Sequence, residues 1–323
     1  MSEADGPPRE TRPWRPDLDP ILLEQTAPGR EAQTFRGSSL LVQFANLVKL
    51  PHTVFALPFA LLGVVYGSFL EPVTLRAGAL VVVAFTAARF AAMGFNRIVD
   101  RHIDALNPRT KSREIPSGRL TPTQAAAAVI VASVVFVAAA ALLNPLCLVL
   151  APFALGWILA YSFTKRFTNW SHLWLGASLA IAPAGGFIAV VGSWSTPWWS
   201  LPVLGLGVLT WVAGFDLFYA LQDEEFDREH QLGSVVVLLG RNGSILVAKL
   251  LHGITIVSLL LFGAGTDFGV GYYVGVAVAA VILAWEHRLV RPDDISRLDA
   301  AFFTMNGVMS IVVFVGALIG RFV

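Results

Sequence analysis

Apolar residues in this chain come in long runs. Nine such segments follow one another, at 52–70, 76–99, 122–143, 146–163, 171–191, 200–221, 245–263, 267–286 and 300–321. A hydrocarbon core is crossed by about 20 helical residues but by only about 10 in a barrel strand. A helix also satisfies its own backbone where no water is present. The pattern therefore predicts an all-α, polytopic membrane protein with nine transmembrane helices. A shorter stretch, 39–50, is expected to lie along the interface, and the weakest punctuation falls at Asn144-Pro145 and at Gly263–Thr266. Residues 1–38 break the pattern. Pro7, Pro8, Arg9, Glu10, Arg12, Arg15, Asp17 and Asp19 leave too little apolar surface to offset ordering entropy, so this segment reads as a disordered tail before a membrane domain at 39–323. No apolar stretch follows its first basic residues closely enough for a cleavable signal peptide.

Composition narrows the class. Of 323 residues, 55% are hydrophobic and 14% charged, against about 25% charged in a soluble domain. A net charge of +1 excludes a strongly basic nucleic-acid binder. The single cysteine, Cys147, excludes a disulfide framework and a cysteine-built zinc site, and reads as packing. Arginine and lysine gather in alternate loops: Arg9 to Lys49 before the first span, Arg101 to Arg119 after the second, Lys165 and Arg166 after the fourth, Arg228 and Arg241 after the sixth, Arg288, Arg291 and Arg297 after the eighth. By the positive-inside rule those loops and the N-terminus are cytoplasmic, and nine spans put the C-terminus on the opposite side. Trp194, Trp198 and Trp199 then form an aromatic belt at the outer interface.

The informative residues are those that end the spans. The second closes on Asn96, Asp100 and Asp104, at i, i+4 and i+8; the sixth closes on Asp216, Tyr219, Asp223 and Asp227, at i, i+3, i+7 and i+11. Each set shares one helical face, and the two form a weak repeat at the same membrane face. Like charges on one face repel and are costly beside hydrocarbon. Facing aspartate pairs call for a multivalent cation, and hard carboxylate oxygens suit magnesium, which completes its shell with water and substrate phosphate. Two pairs suggest two Mg2+ ions on one polyphosphate: Asp100 and Asp104 on one, Asp223 and Asp227 on the other. Lys165, Arg166, Arg109, Lys111 and Arg113 stand at the same face to neutralise diphosphate oxygens, with Tyr161 one turn before Lys165. Arg89 lies seven residues before Asn96, deep in the span, where an arginine marks either a binding site or a buried pair. A second substrate's anionic group and a salt bridge to Asp216 both fit. His172 and Trp174 read as anchors of the fifth helix.

At these residues the chain resembles the UbiA superfamily of intramembrane prenyltransferases. The resemblance rests on Asn96-x-x-x-Asp100-x-x-x-Asp104, on Asp216-x-x-Tyr219-Ala220-x-x-Asp223-x-x-x-Asp227, on the loop from Asn107-Pro108-Arg109 to Pro116-Ser117-Gly118, and on Tyr161-x-x-x-Lys165-Arg166. It covers about 40–321. The run Pro51–Phe59 and the late Asn306-Gly307 look most like the 4-hydroxybenzoate polyprenyltransferases, including relatives in menaquinone synthesis. The likeness implies helices around a central cavity under a cytoplasmic cap, a polyprenyl diphosphate donor, an aromatic acceptor and an inner-membrane location. It implies that Asn96 orients the metal ligands, that Lys165 with the ions holds the leaving diphosphate, and that Arg89 faces the acceptor. Tyr161 and Tyr219 would stabilise the allylic cation or bind phosphate. Asp216 would take the ring proton or pair with Arg89. Dihydroxynaphthoate, homogentisate, haem and chlorophyllide are rival acceptors. An ion-coupled transporter is the rival from another class, but its carboxylates would sit near the midplane between broken helices, whereas these end helices at one rim.

The loop asymmetry generates a topology test. A reporter fused after Val323 is expected on the face opposite one inserted near Lys111; finding both on one side would mean a miscounted span.

Overall fold

The computed structural model describes residues 34–50, 53–293, 298 and 305–323. The first 33 positions of the tail, Pro51 and His52 of the run quoted above, Arg297, and 300–304 of the last apolar segment lie outside them. Among the described residues there are helices and no strands. In chain order they are α1 (Leu40–Leu47), α2 (Thr53–Gly67), α3 (Leu75–Val99), α4 (Arg101–Leu106), α5 (Pro122–Leu143), α6 (Pro145–Ala160), a 3-10 turn (Tyr161–Arg166), α7 (Ser171–Val191), α8 (Ser200–Ala220), a second 3-10 turn (Leu221–Asp223), α9 (Glu224–Glu229), α10 (Val235–Ala264), α11 (Val270–Leu289) and α12 (Asn306–Gly320).

Seven of these segments are long and apolar enough to cross a membrane; α2 and α12 are apolar but shorter, at 15 residues each. The expectation of nine full spans thus becomes seven long and two short ones among the described residues. The Asn144-Pro145 break is real and doubly used. Asn144 ends α5, its side chain accepts from the Cys147 amide at 2.9 Å to start α6, and its Nδ2 donates to the Ile188 carbonyl on α7 at 2.8 Å. Pro145 takes the first helical position, where no amide proton is needed. Thr74 caps α3, and Thr121 with Gln124 forms a reciprocal capping box on α5. The seventh segment starts earlier than expected: α10 begins at Val235 and kinks at Gly240, whose φ of 67° only glycine adopts without strain.

Two features fix the frame. Glycines let α2 and α7 touch: a Cβ on Gly63 would strike the Pro183 carbonyl, and one on Gly186 the Ala60 carbonyl. On the other side a buried polar chain ties α8, α10, α11 and α12. Trp211 Nε1 donates to Asn306 Oδ1 and Asn306 Nδ2 to Glu286 Oε1, both at 2.8 Å. His252 lies 3.0 Å from His287 and 3.3 Å from the Trp211 carbonyl. Polar groups this deep depend on one another for hydrogen bonds, and Glu286 Oε2 and His287 Nδ1 still lack one among the described residues. Asn306→Ala leaves two of them short of a partner, so we expect a loss of about 2–4 kcal/mol, read as a lower Tm in detergent.

Candidate active site at the polar rim

Both acidic motifs straddle a break in their helix. α3 stops at Val99, Asp100 takes φ −90° and ψ 2°, and α4 resumes at Arg101. α8 stops at Ala220, one 3-10 turn carries Asp223, and α9 carries Asp227. Each break leaves the motif's middle aspartate at a corner, so the carboxylates gather under the loop Asn107–Leu120.

There each carboxylate meets one cation. Arg109 grips Asp223 with two hydrogen bonds, Nε to Oδ1 at 2.9 Å and Nη2 to Oδ2 at 2.6 Å, and Asn107 Nδ2 donates to the same Oδ1 at 3.1 Å. Arg113 reaches Asp104 at 2.6 Å, Arg166 reaches Asp100 at 2.9 Å, and Lys165 reaches Asp227 at 3.5 Å. Asn96 Nδ2 donates to Asp100 Oδ2 at 2.8 Å, and Tyr219 Oη accepts from Arg109 Nη1 at 2.9 Å. Four of the five basic residues anticipated at the phosphate, all but Lys111, therefore sit on the aspartates themselves. Burial pushes the Asp100 carboxyl above the usual carboxylate range, and the Arg166 guanidinium opposes that shift.

The donors present suit a hard divalent cation in kind: carboxylate oxygens throughout, one of which, Asp104 Oδ2, is buried without a hydrogen-bond partner. No three acidic, histidine or cysteine side chains among the described residues converge closely enough to enclose an ion as they stand.

Below the rim lies a cavity of about 1040 Å³ that runs from the aspartates to Trp194, with walls of alanine, leucine and aromatic residues. Arg89 lines it, two helical turns or about 10 Å below Asn96. Among the described residues Arg89 makes no ion pair or hydrogen bond, so the alternative of an Arg89–Asp216 salt bridge is not formed. Asp216 instead meets His172, Oδ2 to Nδ1 at 2.7 Å. Tyr161 also lines the cavity, on the membrane side of Lys165 in the first 3-10 turn.

The profile of the UbiA prenyltransferase family matches residues 56–308. The chain belongs to the UbiA prenyltransferase family. It is similar to the 4-hydroxybenzoate octaprenyltransferase of Coxiella burnetii, 30% identical over 231 residues, which cover 72% of this chain and 79% of that one. The enzyme of the same name from Ectopseudomonas mendocina is 31% identical over 206 residues, 63% of this chain and 67% of that one. Among solved structures, a UbiA homologue from Aeropyrum pernix K1 superposes with a TM-score of 0.76 at 32% identity, covering 83% of this chain and 97% of that one. A UbiA homologue from Archaeoglobus fulgidus, solved with GPP and Mg2+, shares the fold at a TM-score of 0.67 and 16% identity, covering 87% and 100%. This UbiA-family chain is accordingly a membrane prenyltransferase.

Two site residues were not singled out by spacing. The sequence shows Asn107 only as part of a loop and His172 only as a helix anchor; their partners lie 116 and 44 residues away. A histidine at the same rim as Lys165 was the available hint. The Arg109 fork supplies a test. Arg109→Lys keeps the charge but cannot copy the paired geometry, and kcat/KM for prenyl transfer is expected to fall by at least about tenfold, the cost of one charge-assisted bond.

Proposed function

We propose that this prenyltransferase moves a polyprenyl chain from polyprenyl diphosphate onto a hydroxyaryl carboxylic acid, 4-hydroxybenzoate or a close analogue, in quinone synthesis at the inner membrane. The observation that carries the reading is Arg89: a guanidinium without an ion-pair partner among the described residues, in an apolar cavity beneath an acidic and basic rim. The names of the octaprenyltransferase relatives and the GPP and Mg2+ of the archaeal homologue support it.

In this reading Asp100 and Asp104 hold one Mg2+ and Asp223 and Asp227 a second, with Asn96 steadying Asp100. Bound there, the metal supplies Lewis-acid neutralisation of the diphosphate. Arg109, Arg113, Lys165 and Arg166 transfer from carboxylate to diphosphate oxygens and hold the leaving group. Tyr161 and Tyr219 present ring faces or hydroxyls beside the allylic carbon. The acceptor's carboxylate pairs with Arg89 and its ring attacks through the carbon ortho to the hydroxyl. The apolar walls exclude water that would quench the cation to an alcohol. The N-terminus and rim face the cytoplasm, with the C-terminus opposite.

The test is kinetic. Arg89→Lys or Arg89→Ala is expected to lower kcat/KM for 4-hydroxybenzoate on the order of 10²-fold, with prenyl diphosphate affinity little changed. Loss of donor binding with normal acceptor kinetics would move Arg89 to the phosphate side and remove the basis for a carboxylate acceptor.

A further inference from the structure

His172 opens α7 and is 2% exposed. Its Nδ1 lies 2.7 Å from Asp216 Oδ2, while its Nε2 is buried with no hydrogen-bond partner. This ring spends its one polar contact on a single carboxylate. The arrangement also fixes its tautomer. A neutral imidazole with a proton on Nε2 would bury an unmatched N–H, so the proton sits on Nδ1 and is donated to Asp216.

Asp216 stands differently. Its side chain is 17% exposed, it lines the cavity, and Oδ1 is neither buried nor hydrogen-bonded among the described residues. One oxygen is therefore pinned by α7, while the other is left without a partner among the described residues, on a side chain that lines the cavity. A carboxylate held at one oxygen and open at the other is suited to accept a proton along a fixed direction.

We infer that His172 is a positioning residue for proton removal, holding Asp216 by Oδ2 so that Oδ1 is left to take the ring proton of the prenylated acceptor. The inference rests on the aromatic-acceptor reading above. The step balances without an oxidant or reductant. The donor's carbon–oxygen bond breaks and diphosphate leaves with the electron pair. The ring carbon bonds to the allylic carbon, giving a cationic ring. The proton on that carbon passes to Asp216 Oδ1, and the carbon–hydrogen electrons restore aromaticity. His172 keeps its own proton throughout.

The test uses the full chain in lipid nanodiscs, with 4-hydroxybenzoate and the same acid deuterated at the positions ortho to the hydroxyl. In the unaltered enzyme proton loss follows the slow step, and no primary isotope effect on kcat is expected. His172→Leu keeps bulk and removes the donor: kcat should fall on the order of 10²-fold, a primary isotope effect should emerge, and donor KM should hold. His172→Asn, whose amide N–H reaches where Nδ1 stood, should recover most of the rate and lose the isotope effect. Should His172→Leu fail to fold, Asp216→Asn carries the test: an isotope effect with an unchanged Tm. A slowed His172→Leu with no isotope effect reduces His172 to packing and overturns the inference. An Asn variant as impaired as the Leu variant also overturns it, because the ring itself would then carry the proton. Absence of any prenylated hydroxyaryl product from the unaltered enzyme would instead sink the parent reading.

Discussion

The architecture depends on the cost of holding four carboxylates beside hydrocarbon. Asp100, Asp104, Asp223 and Asp227 lie at the mouth of an apolar cavity, where repulsion between like charges is poorly screened. The chain meets that cost with four cations drawn from separate elements: Arg109 and Arg113 from the loop after α4, Lys165 and Arg166 from the turn after α6. Because each pair joins distant segments or folds the loop back on α4, the same contacts that neutralise the site close the cap over it. Fold and chemistry share one set of interactions at this rim.

Away from the rim the polar groups are sparse and separated by depth. Asp216 and His172 form one pair under the aspartates, and Arg89 stands deeper on the other wall. The chain from Trp211 through Asn306 to Glu286 ties α8, α12 and α11 together, and His252 adds α10 through His287 and the Trp211 carbonyl. Trp211 belongs to both regions, since its ring packs on Phe59 and Phe215 while its indole N–H anchors to α12. Changes far out on α11 or α12 are thereby felt at the surface that a bound chain would touch.

Much of this was legible in the sequence because membrane solvent imposes strong rules. The runs of apolar residues gave the helices, and the spacing of Asn96, Asp100 and Asp104 against Tyr219, Asp223 and Asp227 gave the rim. What escaped depends on contacts between distant segments. The seventh apolar run begins at 245, which leaves Gly240 among the loop residues, yet α10 begins at Val235 and continues through it as a kink. The basic residues were recognised as part of the site, but their pairing with individual aspartates required the folded cap. The contact between Asp216 and His172 has no sequence signal, since no periodicity links positions 44 residues apart on different helices.

The seam between α2 and α7 also bears on how the cavity can vary over evolutionary time. Gly63 and Gly186 face backbone carbonyls and admit no larger residue without parting the helices. Gly185, next in sequence, lines the cavity, and a Cβ there would meet nothing within 4 Å; Gly205, also in the lining, would make only ordinary contact with Ala180. Neighbouring glycines therefore carry opposite burdens: one is frozen by the packing, while the other is open to enlargement. A side chain added at Gly185 would take up cavity space without meeting the scaffold that supports it.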